Sequence, residues 1–331
     1  ASEVELRGGH VYTENGTAIL RYPWRAGDLE PSGAPDTIVA GLPAGGHQAK
    51  TFVIGRDGAL YVNVGSRTNA CQERDRQRES RGVDPCVELE TRAGIWRFAL
   101  DRLGQRQGDG TRFATGIRNA VAMAVHPADG ALYVMQHGRD QLSANWPTAF
   151  DSVKNAETPA EELLRVTSGA DFGWPYCYFD GALGRRVLAP EYGGDGRTPG
   201  RCARTTPNVG TFPAHWAPND LLFLQGGGFP ARYRAGAFIA FHGSWNRHPL
   251  PQAGFNVVFQ PMRDGRAQGR YEVFADGFVS PEVLAAGRAN QAQGATKRHR
   301  PTGLAQLLDG SLLIADDASG RIWRVAYRGT R

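Results

Sequence analysis

No apolar run in this chain approaches the roughly 18 residues that a membrane-crossing helix needs. The opening Ala1-Ser2-Glu3 lacks the charged and then apolar pattern of a secretion signal, so the chain is read as cytosolic or as already processed. No stretch keeps apolar residues at helical period long enough for a helical domain. There is no Cys-x-x-Cys and no paired-histidine spacing, which excludes the common structural zinc sites. The absence of Cys-x-x-Cys-His likewise excludes an attached c-type haem. Cysteine is scarce, at 4 in 331 residues. Cys71 and Cys86 bracket one long polar loop, and Cys177 and Cys202 bracket a second. That placement predicts two disulfides and an oxidising compartment, periplasmic or secreted; four free thiols are the alternative. The formal charge is +5, but the basic residues are scattered apart from Lys297-Arg298-His299-Arg300. No aromatic platform is interleaved with them, so no nucleic-acid partner is expected.

What the chain does have is turns. It carries 43 Gly and 20 Pro, and its 41% hydrophobic residues suffice for a sizeable core. One device recurs: an apolar strand, an Asp-Gly turn and a second strand ending in Leu-x-Val or Leu-Ile. It occurs around Asp57-Gly58, Asp129-Gly130 and Asp309-Gly310. A third strand follows each time, at Ile95-Trp96-Arg97-Phe98, Leu163-Leu164-Arg165-Val166 and Ile322-Trp323-Arg324-Val325. Repeated sets of three or four short strands predict an all-β chain of the β-propeller type, with a β-sandwich as the alternative. The expected divisions of this single domain are a partial blade at 11–24, blades near 47–100, 111–168, 216–262 and 298–328, and a long excursion at 169–215. Residues 25–46 read as a Pro- and Gly-rich connector.

Equivalent strand ends in a propeller gather at one mouth of its channel. This brings together His47, Arg118, Asn119 and the backbone of Gly138 and Arg139. Histidine can carry a proton near neutral pH. Arg118, Arg247, Arg298 and Arg300 stand near strand ends as well. Converging guanidinium groups call for an anion, and their planar forks suit carboxylates. Trp174, Tyr176 and Tyr178 could wall a pocket or simply pack the excursion.

Six stretches together resemble the soluble quinoprotein sugar dehydrogenases. They are Gly46-His47-Gln48 before Val53-Ile54-Gly55-Arg56-Asp57-Gly58, Gly116-Ile117-Arg118-Asn119, His137-Gly138-Arg139-Asp140, Asp171-Phe172-Gly173-Trp174-Pro175, Phe241-His242-Gly243-Ser244-Trp245-Asn246-Arg247 and Arg298-His299-Arg300. The resemblance spans about residues 11 to 328. It implies a six-bladed β-propeller that oxidises an aldose or related sugar with pyrroloquinoline quinone (PQQ) and calcium (Ca2+), passing electrons to an external acceptor. It implies His47 as catalytic base, and Gln48, Arg118, Asn119, Arg247, Arg298 and Arg300 as PQQ-binding residues. It also implies the carbonyls of Gly138 and Arg139 as calcium ligands. The family's first blade, and most of its second, have no counterpart before residue 11, so missing N-terminal strands and an open ring are expected. A calcium-dependent lactone hydrolase and a non-catalytic binding propeller are the rival readings.

Overall fold

The computed structural model describes residues 3–285 and 299–329. Its strands form a β-propeller arrangement of five blades, each an antiparallel meander that follows chain order. The first blade is Val4–Arg7, His10–Glu14, Ile19–Pro23 and Asp36–Ala40. The second is Phe52–Ile54, Ala59–Val64, Gly94–Ala99 and Thr111–Thr115. The third is Ala122–Val125, Leu132–Gln136, Glu161–Val166 and Gly210–Phe212. The fourth is Pro218–Leu222, Gly236–Phe241, Asn256–Arg263 and Glu272–Ala275, and the fifth is Pro301–Gln306, Leu312–Asp316 and Arg321–Val325.

The three Asp-Gly turns share one mechanism. Gly58, Gly130 and Gly310 take φ values of +74°, +70° and +84°, the left-handed region where glycine has no steric penalty. In each, the aspartate before the glycine accepts a hydrogen bond from the backbone N–H two residues on. The pairs are Asp57 with Ala59, Asp129 with Ala131 and Asp309 with Ser311, at 3.1, 3.0 and 2.9 Å. Asp-Gly therefore supplies both the conformation and the partner that fixes it.

Blades stack face to face, so alternate residues of one strand serve two different cores. Leu60 and Val62 pack toward the first blade, and Ala59 and Tyr61 toward the third. Tyr133 and Met135 face the fourth blade, Leu132 and Val134 the second. Phe238 and Ala240 face the fifth blade, while Ala237, Ile239 and Phe241 face the third. This explains why the second strands of the second, third and fourth blades are buried along their whole length: neither face meets water.

The structure redraws several expected boundaries. The partial blade at 11–24 is the middle of a blade of four antiparallel strands, of which the last, Asp36–Ala40, lies inside the expected connector. Thr111–Thr115 pairs with Gly94–Ala99 and so closes the second blade instead of opening the third. Gly210–Phe212 comes from the end of the excursion and completes the third blade. The rest of the excursion contributes the hairpin Cys177–Asp180 with Arg185–Leu188. A sixth blade has no counterpart among the described residues. Two short parallel pairings also join successive blades. Gln105 and Arg106 lie along Val39 and Ala40, and Ala170 and Asp171 along Ala114 and Thr115.

Both expected disulfides form, with Cα separations of 6.2 Å for Cys71–Cys86 and 5.7 Å for Cys177–Cys202. The Cys177–Cys202 bridge closes a loop with a sequence separation of 25. Replacing both cysteines by serine is expected to cost about 3 kcal/mol through the freed unfolded chain. A denaturant titration of the double variant checks this, and an unchanged midpoint would refute it.

Candidate active site

The site lies where first strands begin and second strands end, because in a meander those two ends share one edge of the blade. Main-chain bonds lock the loops there, one between the second and third blades and one each within the third and the fourth. Ser66 N–H donates to Arg118 O at 2.7 Å, His137 N–H to Asn119 O at 2.9 Å and His242 N–H to Ala217 O at 2.9 Å. His137 is committed through Nε2, which meets Pro218 O at 2.7 Å. Burial first, and Arg118 next, push its pKa down to about 4.

His47 precedes the first strand of the second blade. Its Nδ1 sits 2.9 Å from Ser66 O and 3.0 Å from Ser66 Oγ, and Nε2 meets no protein group among the described residues. Burial and then the Arg118 charge push its pKa down to about 3, so the imidazole is neutral. Two glycines permit this placement. Gly46 has φ +66° and passes so close to Arg67 that an added Cβ would lie 2.4 Å from its Cα. A Cβ on Gly65 would fall 2.7 Å from that of His47. Gln48 does not join the cluster; it is exposed, and its side chain lies over Gly16 in the first blade.

Arg118 is the hub of the mouth and only 4% exposed. Its guanidinium donates to Asn69 O at 3.3 Å, Gly138 O at 2.9 Å, Asn69 Oδ1 at 3.0 Å and Asp140 Oδ2 at 3.1 Å. Asp140 also accepts from Arg76 at 3.2 Å and from Asn246 Nδ2 at 2.9 Å. Burial raises the Asp140 pKa, but Arg118, His215 and Arg76 outweigh it and hold the carboxyl below its ordinary value. Asn119 accepts from Asn63 Nδ2 at 3.2 Å through Oδ1, leaving Nδ2 without a protein acceptor among the described residues. Gly138 N–H donates to Glu161 at 2.9 Å, a buried carboxyl whose pKa desolvation pushes up to about 8.

Of the arginines expected to converge on an anion, Arg118 and Arg247 find acceptors within the protein and Arg300 does so in part. Arg139 turns its side chain away into a buried pair with Glu191 at 2.5 Å. Arg247 donates to the carbonyls of Pro251, Ala156 and Ala214, at 3.2, 2.9 and 3.0 Å, while its neighbour Asn246 points to Asp140. Arg300 spends Nε on His242 O at 2.8 Å and Nη2 on Gly243 O at 2.7 Å, which leaves Nη1 without a protein acceptor among the described residues. Arg298 lies outside the described residues.

Asp140, Ser66, Asn69 and Asn246 do work that reading the sequence did not assign. For Ser66 a signal existed: Gly65-Ser66 follows the second strand of its blade as His137-Gly138 and His242-Gly243 follow theirs. For Asn69 nothing local distinguishes the residue from any loop asparagine.

Comparison with known proteins converges on one family. Residues 1–328 match the TrAA12-like family. A PQQ-dependent pyranose dehydrogenase from Coprinopsis cinerea is 27% identical over 318 residues, covering 87% of this chain and 40% of that protein. The chain spans about half the length of the curated relatives it matches. The family AA12 enzyme of Trichoderma reesei superposes with a TM-score of 0.74 at 19% identity, over 96% of this chain and 79% of that one. The holo PQQ domain of the Coprinopsis cinerea enzyme superposes with a TM-score of 0.69 at 22% identity, over 95% and 78%.

Proposed function

Because the chain belongs to the TrAA12-like family of soluble PQQ-dependent sugar dehydrogenases, we propose that it oxidises an aldose or related sugar at the anomeric carbon using PQQ. The observation that carries this reading is His47: neutral, fixed through Nδ1, and open at Nε2. A base held this way takes the proton of an anomeric hydroxyl.

The residues at the mouth suit a flat polycarboxylate. Arg300 Nη1, without a protein acceptor among the described residues, would pair with a carboxylate, and Asn119 Nδ2 is a spare donor to orient cofactor or substrate. Bound PQQ would supply the two-electron acceptor for the sugar C–H bond. Burial first, and the Arg118 charge next, lower the basicity of His47, so the proton is passed on rather than kept. The electrons would then pass to an external acceptor, a quinone, a cytochrome or a dye.

Calcium would rest on the carbonyls of Gly138 and Arg139 among the protein's own groups. A hard cation of this kind gathers six to eight oxygens. Gly138 O already accepts from Arg118, and no group of three or more His, Cys, Asp or Glu able to hold a metal occurs among the described residues. No step is derived through calcium.

Two disulfides favour an oxidising compartment, periplasmic or secreted. Among the described residues no helix is long and apolar enough to cross a membrane. The test is reconstitution of the full chain with PQQ and an aldose panel, followed by reduction of a redox dye. Saturable, PQQ-dependent dye reduction is expected. Lactone hydrolysis, or sugar binding without dye reduction, would overturn the reading.

A further inference from the structure

We propose that the disulfide-closed insertion between the second and third strands of the second blade, residues 65–93, sets the position and tautomer of His47, with Thr68 as the decisive positioning residue. This rests on the reading of His47 as the base.

The inference starts from protons. Ser66 Oγ donates to Thr68 O at 2.7 Å, so its hydrogen is committed and only lone pairs face His47 Nδ1. Ser66 O on the same side is an acceptor too. With two acceptors there, Nδ1 must carry the hydrogen, and the lone pair falls on Nε2.

Thr68 fixes Ser66 in turn. Its hydroxyl donates to Glu88 Oε1 and accepts from Cys71 N–H, the latter at 2.9 Å. The other Glu88 oxygen accepts from Arg67 N–H at 2.6 Å and Thr68 N–H at 3.3 Å. Glu88 follows Cys86 by two residues in the short helix Val87–Glu90, and the bridge from Cys86 to Cys71 closes the circuit.

The same insertion grips the His47 segment from its other end. Arg92, 8% exposed, donates to Gly45 O at 3.1 Å and to Ala44 O. Residues 44–47 are thus held on both sides by one stapled loop, and Gly46 and Gly65 let the two segments approach without a side chain between them. A loop that only covered the blade would not need to converge on the two faces of this segment.

The test compares Thr68→Val, which removes only the hydroxyl at nearly constant shape, with Thr68→Ser, which keeps it. Both are made in the full chain loaded with PQQ. T68V is expected to lower kcat roughly tenfold, since small displacements of a reacting group cost rate steeply. KM and PQQ affinity should stay within about twofold, and T68S should match the parent. An independent readout is the 15N NMR tautomer signature of His47, assigned with His47→Gln. The parent and T68S should show one Nδ1–H form, and T68V a mixture. Parental kcat with a single tautomer in T68V would overturn the proposal. So would T68S falling with T68V in kcat, PQQ affinity and Tm together, which would mark a merely structural role. If the parent oxidises no aldose, the sugar dehydrogenase reading fails while the tautomer comparison still decides this one.

Discussion

Replacing His47 by alanine is expected to cut turnover by roughly 10² or more, as loss of a general base does, while PQQ affinity stays nearly unchanged. Two features separate these effects. His47 is neutral, so its removal leaves no unpaired charge in the mouth. Among the described residues its ring bonds only to Ser66, on the side opposite Nε2. The Arg300 guanidinium, proposed above to pair with a carboxylate through Nη1, is anchored independently through Nε and Nη2 on the carbonyls of His242 and Gly243. The check is kcat at saturating PQQ alongside a PQQ titration; unchanged turnover in the reconstituted variant would remove His47 from the chemistry. The pH profile gives a second handle. With its folded pKa pushed down to about 3, His47 stays deprotonated well below the ordinary histidine value. The acid limb of kcat should therefore show no fall near about pH 6.5.

Asp140→Ala is expected to be the most destabilising single change at the mouth, costing about 3 kcal/mol, as breaking one partner out of a buried ion pair does. Arg118 is 4% exposed and would be left with neutral acceptors only, from Asn69 and Gly138. Arg76 and Asn246 would lose their common partner too. Asp140→Asn keeps the shape and isolates the charge. Its comparison with the parent also fixes the sign of the pH effect. The Asp140 pKa is lowered in the folded state, so the stabilisation is complete above the ordinary aspartate value of about 4 and disappears as pH falls through the folded value. Urea unfolding at pH 7 and below pH 4 should show the gap between parent and Asp140→Asn shrinking in acid. A gap independent of pH would contradict the role given to the carboxylate.

Turn chemistry was the part of the fold most legible in the sequence. Asp57-Gly58, Asp129-Gly130 and Asp309-Gly310 act locally, and each is a hairpin turn closed by its own aspartate. The outer strands were not legible, because pairing chooses a partner from anywhere along the chain. Thr111–Thr115 turns back to Gly94–Ala99, and Gly210–Phe212 returns to Glu161–Val166 from beyond the excursion. Asp36–Ala40 was hidden by Pro35 and Pro43 on either side, which composition reads as a connector. At the site, repeat register was enough to bring His47, Arg118 and Gly138 to one edge. Charge partners were not predictable in the same way. Arg118 is answered by Asp140 from a different loop of its own blade, and Asp140 by Asn246 from the next blade. Asn246 and Arg247 are adjacent, and nothing in the sequence says which of them faces the mouth.

The two-residue parallel pairings between successive blades have a consequence for how this chain tolerates cutting. In a solenoid, each repeat completes itself and touches only its neighbours, so stability accrues unit by unit. Here the outer edge of the first blade is finished by Gln105 and Arg106, which arrive only after three strands of the second blade have been laid down. The outer edge of the second is finished by Ala170 and Asp171, after three strands of the third. No break between these blades leaves an intact sheet behind it. The first three blades are therefore expected to melt as one, and a chain emerging during synthesis holds an open edge until its successor blade has almost formed.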